Sequence, residues 1–350
     1  GIATFFPYGE IQGFQSSTTL VQTSYKPEFV NNKEVGIELG FLNNKINFEA
    51  TAYTQNNTDQ VINVAYSGTT GFTNSLLNAA SFDNKGLEFD LRLTPLINLG
   101  NFSMDVKLNY SLQDSKVNSI IEGVDELGVG LANFAIVGSP AFVFKLTDYV
   151  RDDQGRVIVD ASTGMPSRNP NTAVFGRTLP KNFFGINLSL NWKDFSFNAV
   201  ADYRGGNQIL SSGLGSALDF SGISERSGQN DRQAFVFPNS VYNTGTADAP
   251  KYEPNTNIYT KSYGYNFWSQ DINTGVQSNY LSSGAFWKLR EVSLIYTIPQ
   301  SVFKGGVGTV IKGASVAVTG RNLATWLPKS NQWTDPEFSA STTSNCQGVN

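Results

Sequence analysis

Covalent and acid-base chemistry usually starts from histidine, cysteine or paired carboxylates. This 350-residue sequence has no histidine and one cysteine, Cys346. The commonest general base and the commonest metal ligand are both missing. Ser-His-Asp and Cys-His nucleophiles, zinc hydrolase sites, disulfide frameworks and thiolate metal clusters are therefore excluded together. Cys346 reads as a lone thiol without a redox role. The run Gly305-Gly306-Val307-Gly308 lacks the Lys-Ser/Thr and helix of a phosphate cradle and reads as a turn. Asp152, Asp153 and Asp160 offer oxygen ligands that suit Ca²⁺. They lack the D-x-D-x-D-G spacing, so a solvated turn is the commoner outcome for such residues. No acid/base carboxylate pair of a glycosidase can be picked out.

What remains is non-covalent recognition. Tyr263-Gly264-Tyr265-Asn266-Phe267-Trp268 is the densest aromatic cluster, and flat rings beside amides suit sugar C–H faces or peptide side chains. Trp326 and Trp333 carry the same potential. Rings like these also pack a loop against itself or against a partner, which is the more frequent use of large aromatics. Asp90 with Arg92, and Asp105 with Lys107, alternate with apolar residues; they can guide a polar solute or simply pair with each other, each pair contributing little.

These side chains need a scaffold, and composition restricts it. Charged residues make up 15%, aromatics 13%, and there are 33 glycines, which is not the make-up of a helical protein. Hydrophobic residues at 40% with a mean hydropathy of −0.22 are too apolar for disorder. No run of apolar residues reaches the roughly 18 needed for a membrane helix, so any membrane contact must use strands. A net charge of −4 and scattered Lys and Arg give no footprint for nucleic acid. The chain starts at Gly1 with no start methionine or signal-like segment, and is expected to be a mature or partial chain.

Period-2 alternation is the dominant pattern. From Phe102 to Leu112 every second residue is apolar (Phe102, Met104, Val106, Leu108, Tyr110, Leu112) and the others are polar. Leu87 to Leu93 and Phe184 to Trp192 repeat this, and Val35 to Phe41, Ile46 to Tyr53, Phe195 to Tyr203, Val292 to Ile298 and Ala314 to Val318 follow with lower purity. Eight strands are predicted. Short links of about 3, 8, 4 and 13 residues alternate with long ones of roughly 30, 70 and 80, the asymmetry of a transmembrane barrel with tight periplasmic turns and long outer loops. Tyr53, Tyr110, Trp192, Phe195, Tyr203 and Tyr296 fall near strand ends, where an interfacial girdle is expected. Tyr149-Val150-Arg151 and Val157-Ile158-Val159 around Asp152-Asp153-Gln154-Gly155 predict a small hairpin within a loop. The fold class is all-β, an antiparallel transmembrane β-barrel portion.

Specific motifs narrow the reading. Lys26-Pro27-Glu28, then Glu34-Val35-Gly36-Ile37-Glu38-Leu39-Gly40-Phe41, then Asn84-Lys85-Gly86-Leu87-Glu88, then Phe286-Trp287-Lys288-Leu289-Arg290-Glu291-Val292-Ser293, then Gly320-Arg321-Asn322-Leu323 with Asp335-Pro336-Glu337, stand in this order. Over about Lys26 to Glu337 the chain resembles the TonB-dependent outer-membrane transporters of the SusC/RagA family of the Bacteroidetes. The resemblance implies that residues 1–350 form the C-terminal part of a 22-stranded barrel, its eight strands matching strands 14 to 21, with long extracellular loops. Plug domain, signal peptide and closing strand would lie outside this chain. It further implies nutrient uptake at the bacterial outer membrane: an oligosaccharide or peptide ligand captured under a SusD-like surface lipoprotein, energy from TonB-ExbB-ExbD through the N-terminal part, contact with outer-membrane lipid, and pairs of transporter and lipoprotein assembled as a dimer. No catalysis and no cofactor are expected. Arg321, Asn322 and Asp335 would be structural, tying the last outer loop to the barrel rim. Two other classes stay open at this stage: a passive porin or surface adhesin on the same barrel, and a secreted carbohydrate-binding β-sandwich.

Overall fold

The structure is a computed structural model that describes residues 2–3, 13–14, 19–21, 25–65, 69, 71–228, 233–261, 267–303, 310–311, 313–331, 334–338 and 348–349. Its frame is one sheet of eight long antiparallel strands laid side by side in chain order: β1 (Phe29–Phe41), β2 (Ile46–Ala65), β3 (Asn74–Leu99), β4 (Phe102–Ser119), β5 (Asn182–Trp192), β6 (Phe195–Gly205), β7 (Phe286–Ile298) and β8 (Ala314–Trp326). All eight predicted segments lie inside these strands. Each strand pairs with its sequence neighbours, and Thr19–Val21 adds a short parallel pairing with Asn74–Leu76.

Register places like with like. Leu91, Leu108, Ile186 and Ala201 form one row across β3 to β6, and Leu93, Val106, Leu188 and Ala199 form the next. On this face the edge-strand residues Val35 and Val318 are 71% and 72% exposed, while the central Val106 is buried among its row neighbours. Among the described residues no second sheet packs on it, so the sandwich reading fails. Contiguous apolar strand surface of this extent is stable in lipid, which also requires that every backbone group pair within the sheet. Ring contacts band it, with Trp192, Phe195 and Tyr296 joined at 6.4 and 4.8 Å at one end and Tyr203, Trp287 and Phe184 at 5.3 and 5.6 Å at the other. Trp326 stands opposite Trp287 on this same face. Tyr53 departs from the girdle expectation. It shares the opposite face with Glu49 and Thr51 and stands against Gly86.

The short ends of the sheet are tight. Leu42, Asn43 and Asn44 take positive φ between β1 and β2, Gly100 does so between β3 and β4, and Lys193 between β5 and β6. At the other end one expectation is corrected. The stretch between the second and third predicted strands is mostly strand rather than a roughly 30-residue loop, because β2 and β3 run on as a ribbon and leave only residues 66–73 as connection. Polar residues, Asn the commonest, outnumber apolar ones in that extension and do not alternate with them, so the hydropathy signal fades while backbone pairing continues.

Packed core is found in the outer loops. Phe144, Leu146, Leu210 and Tyr280 form one buried cluster, and Tyr149, Val157, Val159, Phe267 and Val276 another. The sheet has one face for lipid and one for water, so only the loops can bury side chains on both sides. The predicted hairpin is present in reduced form: Ile158 N donates to Val150 O at 2.9 Å, and Val157–Val159 pairs in parallel with Ser240–Tyr242.

Candidate solute-facing wall and loop cap

The face opposite the apolar one is mostly polar. Across it, Glu49, Asp90, Asn109, Gly185, Asp202 and Lys288 make one register row, and Asn47, Arg92, Lys107, Asn187, Val200 and Glu291 the next. Arg92 pairs with Glu49 at 3.2 Å and with Asp90 at 3.3 Å. Asp105 and Lys107 share this face, but among the described residues neither has an ion-pair partner. Lys107 instead lines a shallow cavity of about 400 Å³ with Asp90, Asp202 and Arg290. Charges here meet water, so they carry no desolvation cost of the kind lipid would impose.

One strand needs a device to keep its charges off the lipid. Counting back from Val292, Leu294 and Tyr296 on the apolar face, strict alternation would put Arg290 and Lys288 into the bilayer. A bulge prevents this: β6 advances from Val200 to Ala201 while β7 advances from Glu291 to Leu289, so Arg290 is the extra residue. Bulges re-aim side chains in this way. β8 absorbs the shift with Asn322 in the left-handed region at φ 50°, which asparagine tolerates.

The re-aimed residues grip a segment of the last outer loop. Lys288 Nζ donates to Asp335 at 2.8 Å and to Glu337 at 2.5 Å. Arg290 donates to Glu337 through Nη1 at 2.7 Å and Nη2 at 2.5 Å, and to Asp202 through Nη2 at 2.8 Å. Arg204 stands 3.4 Å from Glu337. Hydrogen bonds from Arg290, the largest influence, together with those from Lys288 outweigh the upward push of burial and hold the Glu337 carboxyl down at about 2. Arg321, by contrast, is exposed and pairs among the described residues with Glu291 at 3.1 Å. The loop is held by Lys288, Arg290 and Arg204 on Asp335 and Glu337. The signal in the sequence was the parity conflict at Lys288 and Arg290.

Above the wall the loops form a folded cap. Phe267 is 5% exposed, and its ring meets Phe235, Phe237 and Trp268 at 5.4 to 5.7 Å. Both rings therefore pack the loop against itself. Tyr263, Tyr265, Trp333, Cys346 and the Gly305 to Gly308 run lie outside the described residues. Burial pushes the Tyr149 phenol up to about 12, and Asn279 donates to its hydroxyl at 2.9 Å. Asp219 is a fully buried hub: burial alone would raise its carboxyl, but Arg226, Ser224 and Asn273 hydrogen bonds outweigh that and lower it. Asp152 accepts from Arg156 and from backbone N–H groups, and Asp160 accepts from Ser162 and Thr163, whose hydroxyls hold it at about 2. Both close turns. Among the described residues no three carboxylate, Cys or His side chains gather into a metal-holding group.

A single sheet with a lipid face, an ion-paired inner wall and a strapped loop cap is a barrel segment, and the comparisons agree. Residues 3–208, more than half of the chain, match the family described as TonB dependent receptor-like, beta-barrel. The chain belongs to that family. A TonB-dependent receptor named P26, from Formosa agariphila, is 27% identical over 325 residues, covering 85% of this chain and 30% of its own length. Among solved structures, a chain of the RagAB peptide transporter superposes with a TM-score of 0.66 at 17% identity over 93% of this chain. The RagAB peptide importer in its 'open-open' state does so with 0.68 at 18% identity over all of it. This receptor barrel segment spans about a third of the length of those proteins, 30 to 35%. The shared fold with the RagAB chains is the fold that the sequence resemblance predicted.

Proposed function

We propose that this chain is the C-terminal wall of an outer-membrane transporter of the SusC/RagA type, which takes up a large polar nutrient, an oligosaccharide or a peptide, in a TonB-dependent manner. The observation that carries this reading is the pairing of a lipid face with a polar, ion-paired inner face under a folded cap, in a chain of the TonB-dependent receptor barrel family. The wall binds and passes solute; it does not react with it, and no cofactor takes part. A SusD-like lipoprotein closes the mouth from outside, two such pairs assemble as a dimer, and TonB-ExbB-ExbD supplies energy through the part of the protein that precedes this segment. The RagAB neighbours, one of them a peptide importer by name, support the reading at the level of fold.

The test is uptake of labelled oligosaccharides and oligopeptides by native cells, with and without the gene and with and without a protonophore. The expected result is a loss of uptake of one class on deletion and on de-energisation. Uptake that depends on the gene but ignores the protonophore would make the protein a passive pore. Uptake unchanged on deletion would leave an adhesin. Co-purification of a surface lipoprotein with the full-length protein tests the lid.

A further inference from the structure

Tyr53 and Gly86 create a feature that the transport reading does not use. They face each other across β2 and β3 on the inner face. A Cβ added to Gly86 would lie 2.2 Å from the Tyr53 ring, so the phenol lies against the bare glycine backbone, which explains a glycine inside the Asn84-Lys85-Gly86-Leu87-Glu88 motif. Tyr53 then lines a cavity of about 320 Å³ at the outer end of the wall, at the lower end of the range of about 300 to 1,000 Å³ for small-ligand sites.

Around the ring stand neutral hydrogen-bonding groups with capacity left. Asn84 Nδ2 donates to Gln55 Oε1 at 3.3 Å, and Gln113 Nε2 donates to Pro180 O at 3.3 Å. Both are long bonds, and each amide keeps a second N–H. Among the described residues no hydrogen bond engages the Tyr53 hydroxyl. The charged groups of the cavity, Arg177 and Asp114, are paired with each other. Strand addition by a peptide has no free edge here. Gln113 N donates to Lys181 O, Val117 N to Ser139 O, and Gly138 N to Val117 O, each at 2.9 Å.

We propose that this cavity binds one ring of a neutral saccharide, its C–H face on Tyr53 and its hydroxyls bonded to Gln55, Asn84 and Gln113. The proposal rests on the transport reading and names its substrate class. Flat aromatic surface combined with side-chain amides and no unpaired charge is chemistry that fits vicinal hydroxyls better than a peptide terminus.

The experiment is calorimetric titration of the full-length transporter in detergent with maltohexaose, laminarihexaose and xylohexaose, one at a time, and with a neutral Gly/Ser/Thr hexapeptide. The expected result is binding of at least one oligosaccharide. Affinity then falls about tenfold in Gln55→Ala and in Asn84→Ala, and further in Tyr53→Leu, with heat-modifiable gel mobility showing that each variant is folded. Because Tyr53 also covers Gly86, Gln55→Ala carries the test if Tyr53→Leu does not fold. Binding of none of the three sugars, binding of the hexapeptide instead, or sugar affinity unchanged in Gln55→Ala overturns the proposal. None of these outcomes alters protonophore-sensitive uptake, so the transport reading fails or survives separately.

Discussion

Arg290 holds Glu337 in a two-pronged grip, Nη1 to Oε2 at 2.7 Å and Nη2 to Oε1 at 2.5 Å, across 47 residues of sequence. The grip exists because a bulge turned Arg290 from the lipid face to the inner face. A single β-strand irregularity thus keeps a charge out of the bilayer and anchors the last outer loop.

Arg290→Gln should release that loop while leaving the sheet intact. Loss of a charge-assisted, bidentate contact weakens the strap by about 1 to 3 kcal/mol. Limited proteolysis of intact cells should cut after Trp326 in the variant far sooner than in the parent, and equal cutting rates would count against the strap.

The strap also has a pH signature. The Glu337 carboxyl is held at about 2, below the ordinary glutamate value of about 4.3. A lowered carboxylate stabilises the folded arrangement at pH above its unfolded value, and that contribution fades as pH falls from about 4 towards 2. Protease susceptibility of the loop should be flat from pH 8 to 5 and rise below about 4. A rise centred near neutrality would point to another group.

The two faces of β5 predict opposite tolerance. Leu188 stands in the apolar row with Val106 and Ala199, while its neighbour Asn187 faces Lys107. Leu188→Arg should destabilise the barrel by about 2 to 4 kcal/mol, and Asn187→Arg by far less. Urea unfolding of the full-length protein in vesicles measures both, and comparable losses would reverse the assignment of faces.

Phe267 is cap core. Phe267→Ala leaves a cavity among Phe235, Phe237 and Trp268 and should cost the cap about 3 to 5 kcal/mol. Hydrogen exchange should speed up in Val157–Val159 and its partner strand without change in β5 or β6. Normal exchange together with lost ligand binding would make the ring a direct contact.

Alternation alone made the eight strands legible, because a sheet between lipid and water writes its two solvents into every second residue. Alternation puts Asp90, Arg92, Asp105 and Lys107 on the face opposite the apolar rows, and the register of β3, β4 and β5 keeps them on that one face. Alternation is silent where both faces meet water, so the ribbon of β2 and β3 read as loop. For Tyr53, the place near a predicted strand end suggested the girdle, while its parity pointed inward, where it stands against Gly86. Lys288 and Arg290, which hold Glu337, lie 47 to 49 residues away, a distance that no local pattern spans.

The sequence by itself determined the class of the protein: an all-β wall with one face for lipid, in a chain with no histidine and one cysteine. Only the tertiary structure decided which groups meet. The bulge at Arg290, the strap on Glu337, the self-packing of Phe267 and Trp268, and the ring of Tyr53 laid over Gly86 all depend on register and loop folding. Those are settled by pairing across the sheet and by packing in the cap, and residue order along a single strand does not encode them.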